Sequence, residues 1–179
     1  NKNNASYKPN WGHSVFLEAF WWGIPCIIIF ILGIITWISS HKLDPFRPLD
    51  MPGKPLVIQA VSLEWKWLFI YPKQNIATVN YIQIPKNRQI EFEITSDAPM
   101  SAFFIPQLGS QIYAMAGMRT RLHLIANKNG VFEGLNSQYN GDGFSEMHFN
   151  VNVTDNLDFN TWVAKVRNAK KRLTISKYQ

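Results

Sequence analysis

Few side chains in this sequence have the type and spacing to do chemistry. The histidines are His13, His41, His123 and His148, and no pair of them has metal-ligand spacing. Cys26 is the single cysteine and lies inside a long apolar run, which excludes an intrachain disulfide and a multi-thiolate metal site. A copper or zinc site built on this chain alone is therefore not expected. No P-loop, dinucleotide fingerprint or nucleophile elbow is present. Asp142 stands between Gly141 and Gly143, which reads as turn chemistry rather than catalysis. Basic residues do not interleave with aromatics as they do on a nucleic-acid platform, so no nucleic-acid partner is expected. Glu18 is the exception, an acid at the edge of an apolar run. A carboxylate there is either part of a proton path or an inert group reaching the headgroup layer.

The elements that position these residues follow from composition and periodicity. The chain has 179 residues, 46% of them hydrophobic, and enough aromatics (14%) to exclude disorder. Residues 19–38, AFWWGIPCIIIFILGIITWI, carry no formal charge. Twenty residues of helix span about 30 Å, the thickness of a bilayer core. Residues 15–40 are accordingly expected to form a transmembrane helix, with Trp11 and Trp37 in the two headgroup belts and Pro25 as a kink site. Such a kink is best tolerated beside partner helices. Lys and Arg counts on the two flanks do not decide the orientation.

Residues 41–55 read as a Pro-rich linker. Beyond it the period changes to that of strands. The runs 56–71, 77–84, 88–95, 120–126 and 146–154 are rich in β-formers, and the last three alternate. Ile90, Phe92 and Ile94 point one way, as do Leu122 and Leu124, and Met147, Phe149, Val151 and Val153. His123 and His148 fall on the polar faces. About seven short strands over residues 56–155 predict a β-sandwich. Asp155 is placed to cap a final helix that, with a basic tail, makes up residues 156–179, and in which Phe159, Trp162, Val163 and Val166 recur at helical spacing. The fold class is thus a membrane-anchored all-β protein with a C-terminal helix.

The formal charge of +6 is local. Residues 159–179 hold Lys165, Arg167, Lys170, Lys171, Arg172 and Lys177 and no acid, whereas the rest of the chain is balanced. This tail is either a solvated helix end or a surface for phosphate or anionic lipid.

Residues 61–72 (VSLEWKWLFIYP), 76–80 (IATVN) and 103–118 (FFIPQLGSQIYAMAGM) resemble subunit II of the haem–copper respiratory oxidases, and in particular its bo-type ubiquinol oxidase branch. The resemblance runs from residue 9 through the final helix. It implies a cupredoxin-like sandwich on the periplasmic side of a bacterial inner membrane, with residues 1–14 as a cytoplasmic loop. It also implies a pair of transmembrane helices, of which the one read here resembles the second. The first, with its signal segment, would precede this sequence, in keeping with a start at Asn rather than Met.

The family divides on one site. The cytochrome c oxidase branch carries a dinuclear copper centre held by two His, two bridging Cys, a Met and a backbone carbonyl. Aligned on that pattern, the His positions fall at Ser101 and Phe144, the Cys positions at Asn136 and Asn140, the carbonyl at Gln138 and the Met at Met147. Amides cannot replace bridging thiolates, because they are not soft anionic donors. The resemblance therefore implies no cofactor in this chain and no cytochrome c partner. Haem b, a second haem of o type, copper and ubiquinone are expected in subunit I of the complex. Subunits III and IV and membrane lipid are further expected partners. Glu18 matches the family glutamate near the mouth of a proton-uptake path into subunit I. Trp65 and Trp67 match residues on the electron route of the copper-bearing branch, and without copper they are expected to be packing residues. A stand-alone membrane-tethered binding module and a copper electron-transfer domain are the rival readings.

Overall fold

A computed structural model of the chain describes residues 12–44, 46–49, 52–169 and 174. Trp11, most of the expected cytoplasmic loop, and the tail cations Lys170, Lys171, Arg172 and Lys177 lie outside them. The chain divides into two units, residues 1–44 and 45–179.

The first unit contains α1, Val15–Lys42, which runs through Pro25 and ends two residues beyond the expected boundary. Its 28 residues span about 42 Å, enough to cross a bilayer. Its large apolar side chains, from Val15 to Ile38, are exposed, as a helix solvated by lipid requires. At its last turn His41 Nδ1 donates to the Trp37 carbonyl at 2.8 Å, and the two rings lie 4.4 Å apart.

The second unit is a sandwich of two five-stranded sheets. Its strands are β1 Leu56–Leu63, β2 Lys66–Tyr71, β3 Ile76–Val79, β4 Tyr81–Pro85, β5 Ile90–Ser96, β6 Ser101–Phe104, β7 Ile112–Ala114, β8 Thr120–Leu124, β9 Gly130–Asn136 and β10 His148–Thr154. The sheet orders are β3-β2-β1-β5-β8 and β4-β10-β9-β6-β7. The alternating runs bury the expected faces. Ile90, Phe92 and Ile94 meet Phe149, Val151 and Val153 in one core with Trp67, Phe69 and Phe103.

Ten strands form where about seven were expected, and the differences have local causes. The run 56–71 breaks at Glu64 and Trp65, where Trp65 takes a left-handed φ of 49°. The run 77–84 divides at Asn80, which has a φ of 52°. Asn80 then ties the two sheets together. Its backbone N–H donates to the Trp67 carbonyl, its Oδ1 accepts the Trp67 N–H at 2.7 Å, and its carbonyl accepts from Asn150 on β10. Strand β9 is hidden in the sequence by Gly134. A Cβ there would lie 2.1 Å from the ring of Phe149, its cross-strand partner, so the strand sacrifices a side chain to admit that ring. β6 and β7 are too short to show a period.

His123 sits on the polar side of β8 opposite Glu91, as its alternation predicts, and is buried there (9% exposed). One expectation needs correction. Asp155 occupies the N-cap position of α2, Asn156–Asn168, without a side-chain cap. Its carboxylate instead meets Lys86 Nζ at 3.3 Å and accepts from Asn129. Helix α2 packs on the sandwich by burying Phe159 and Val163. Trp162 lies 5.6 Å from Tyr71 and 5.9 Å from Tyr81. Arg167 closes the helix by donating to the Gln74 carbonyl at 2.7 Å.

Tyr71 joins the two sheets under this helix. Its hydroxyl donates to the Gln83 carbonyl at 2.9 Å and accepts the Gln83 N–H at 3.1 Å. Burial pushes the hydroxyl well above the ordinary tyrosine range, against the Gln83 hydrogen bond, which lowers it. The phenolate is thus disfavoured in the fold. Stability from this group is complete below the unfolded value of about 10 and is lost as pH rises above it. Tyr71→Phe should cost about 1–3 kcal/mol near neutrality, since it strands two buried backbone groups. Its stability should also fall less steeply than the wild type's in alkaline denaturation titrations.

Candidate functional site

The six positions matched to copper ligands lie on β6, on the end of β9, and on the loop from there to β10. Strand alternation turns Ser101 and Asn136 inward, and both are buried. The loop closes on itself through a 3₁₀ turn, Phe144–Glu146. This folds Asn140 and Met147 back toward Ser101. Ser62 on β1 completes the group; it lies in the 61–72 stretch that carries the resemblance but matches no copper ligand.

The contacts form a hydrogen-bonded plug. Ser62 Oγ donates to Ser101 Oγ at 2.8 Å. Asn140 Nδ2 reaches Ser101 Oγ at 3.0 Å and Met147 Sδ at 3.4 Å. Asn136 Oδ1 accepts the N–H groups of Ala102 (2.8 Å) and Gln138 (3.1 Å), and its Nδ2 donates to the Gln138 carbonyl at 2.7 Å. The Phe144 ring turns to Tyr139, with centroids 5.8 Å apart. All six positions are therefore joined by hydrogen bonds, Phe144 through its carbonyl, which accepts the Met147 N–H at 3.2 Å, while its ring contributes an aromatic contact.

These residues do not fit a copper pair. The carbonyl at Gln138 already accepts a bond from Asn136, and the amide nitrogen of Asn140 faces the Met147 sulfur. A single thioether is the one soft donor among the six, and no thiolate or imidazole joins it. Among the described residues no group of three His, Cys, Asp or Glu is placed to hold a metal. Titration of the full chain with Cu(II) plus reductant should leave no tightly bound copper after desalting, as metal analysis will show.

Trp65 lies over this loop. A Cβ on Gly143 would come within 2.3 Å of the indole, and one on Gly141 within 3.6 Å. The two glycines, read from sequence as a turn, are thus also the floor beneath an aromatic ring. Trp67 is fully buried against Phe103 at 5.3 Å, so it packs as expected.

Glu18 belongs to the other unit. It sits in the first turn of α1, where acids suit the helix dipole. Its carboxylate lies 3.4 Å from His13 Nδ1, and its side chain is 48% exposed.

The comparisons with known proteins bear on both units. Residues 72–154 match the family profile described as cytochrome c oxidase subunit II, periplasmic domain. The chain is 60% identical, over 97% of its length, to cytochrome bo(3) ubiquinol oxidase subunit 2 of Pseudomonas aeruginosa. The chain belongs to the oxidase subunit II family.

It is also 49% identical over 98% of its length to ubiquinol oxidase subunit 2 of Acetobacter aceti, and 42% identical over 99% to quinol oxidase subunit 2 of Bacillus subtilis. It spans 53%, 58% and 55% of those three relatives, about half the length of each. Among solved structures, the periplasmic domain of cytochrome oxidase subunit II from Bradyrhizobium japonicum superposes with a TM-score of 0.62 at 25% identity, covering 65% of this chain and 97% of that one. A subunit II chain is therefore built here as an apolar helix, a cupredoxin-like sandwich and a C-terminal helix.

Proposed function

We propose that this chain is the non-catalytic subunit II of a proton-translocating ubiquinol oxidase in a bacterial inner membrane, with its sandwich on the periplasmic side. The observation that carries this reading is the plug at the vestigial copper site, where Asn136 and Asn140 spend their amides on Gln138, Ser101 and Met147. With no soft anionic donors there, electrons bypass this chain and enter subunit I from a membrane-soluble quinol. The names of its relatives, which are quinol oxidase subunits, support the same assignment. Haem b, an o-type haem, copper and ubiquinone belong in this reading to subunit I, where dioxygen is reduced to water. Subunit II braces that subunit through α1, caps its periplasmic face, and has no cytochrome c partner. Subunits III and IV and membrane lipid complete its surroundings.

Glu18 is the chain's own contribution to proton traffic. It combines a half-hydrated carboxylate with a place at the mouth of an apolar helix, and His13 holds its side chain. In the assembled oxidase, Glu18→Ala should slow quinol turnover while the complex still purifies with its haems. Unchanged turnover and pumping would remove Glu18 from the path. Mild-detergent purification tests the larger assignment, since a haem-free monomer would favour a stand-alone tethered module.

A further inference from the structure

Two buried polar atoms of opposite kind are left over at one end of the sandwich. Trp67 Nε1 can only donate, and Asn140 Oδ1 can only accept. Neither meets a hydrogen-bond partner among the described residues. A third such atom, Gln74 Oε1, lies in the turn after β2, at the other end of that strand from Trp67. The first two share a neighbourhood. Trp67 stands directly across from Ser62 in the β1–β2 register. Ser62 donates to Ser101, and Ser101 accepts the Asn140 amide. The amide orientation of Asn140 is fixed chemically, because the Met147 sulfur beside it is an acceptor and requires the nitrogen.

Leaving a buried donor and a buried acceptor both unmade would cost a desolvation penalty twice. A buried water needs two to four polar partners in a polar site, which is what these two atoms and the Ser62 hydroxyl oxygen provide, the Ser101 hydroxyl being filled by Ser62, Asn140 and the Pro99 carbonyl. We propose that a structural water occupies this end of the sandwich, accepting the Trp67 indole N–H and donating to Asn140 Oδ1. The vestigial site is then a hydrated plug rather than a dry one. Trp67 belongs to it as a polar member as well as a packing residue. The inference concerns the site alone and does not depend on the oxidase assignment.

The test uses the full chain in detergent micelles. Ultraviolet resonance Raman difference spectra, wild type against Trp67→Phe, isolate this indole from the other six tryptophans. The expected spectrum is that of a hydrogen-bonded indole, and Asn140→Leu should lose that signature as the water is displaced. A free indole in the wild type, such as one directed at the Phe103 ring, overturns the proposal. So does a bonded indole unchanged by Asn140→Leu. If that variant does not fold, magnetisation transfer in the wild type decides. Cross-relaxation between the Trp67 indole proton and a long-lived water supports the site, and its absence overturns it.

Discussion

Phe103→Ala should lower the unfolding free energy of the sandwich by about 3–5 kcal/mol, the range for deleting a buried aromatic side chain. Phe103 is fully buried on β6 and is the shared neighbour of the aromatic core. Its ring lies 5.3 Å from Trp67, 5.1 Å from Phe92, 5.1 Å from Phe149 and 6.3 Å from Phe69. Phe92 comes from one sheet and Phe149 from the other, so the ring is the bridge across the sandwich. Four large rings cannot collapse together into the space it leaves without abandoning their edge and stacked geometries. The position should therefore fall in the upper part of the range, and Phe103→Leu should recover a large share. Urea denaturation of the full chain, followed by the fluorescence of Trp67 and its neighbours, measures both. A loss below about 1 kcal/mol for Phe103→Ala would mean that the core relaxes freely around the gap.

How legible this molecule was from its sequence depended on the element. The membrane helix announced itself by a long uncharged run, and the strands with intact alternation, β5, β8 and β10, placed their apolar residues on the correct face. Where a strand's pattern was interrupted for a packing reason, it could not be read. Gly134 is missing a side chain because Phe149 needs the room, and Asn80 breaks a continuous β run because the chain must change sheets there. His123 lies on the face that alternation predicts, and its burial there was not legible, since alternation distinguishes faces and not what covers them. The site was illegible to spacing alone, because its members are a serine, two asparagines, a glutamine carbonyl and a methionine, none of which signals chemistry. Resemblance supplied the positions. The structure shows why they hold together, and adds Ser62 on β1 and the Trp65 ring from the turn between β1 and β2, neither of them matched to a copper ligand.

Asn136→Ala tests whether that site has become structural. Asn136 is 2% exposed, and its side chain makes three hydrogen bonds to backbone, two as acceptor and one as donor. These bonds fix the start of the loop to the start of β6, since Ala102 follows Ser101 and Gln138 opens the path to Asn140. Truncation strands the buried N–H of Ala102 outright, while the groups at Gln138, only half-buried, can turn to water. One full penalty and two partial ones give an expected loss of about 2–4 kcal/mol. Asn136→Asp separates the two halves of the amide. The carboxylate still accepts from Ala102 and Gln138 but faces the Gln138 carbonyl with a second acceptor, so the variant should be nearly as unstable as Ala at neutral pH. Below the carboxylate's pKa its proton can restore the missing donor, and stability relative to Asn136→Ala should then rise. Paired denaturation curves of the three proteins at neutral and acid pH read this directly. If Asn136→Ala were as stable as the wild type, the amide would be a passive remnant of a lost metal site, and the loop would be held by Trp65 and the Phe144 turn instead.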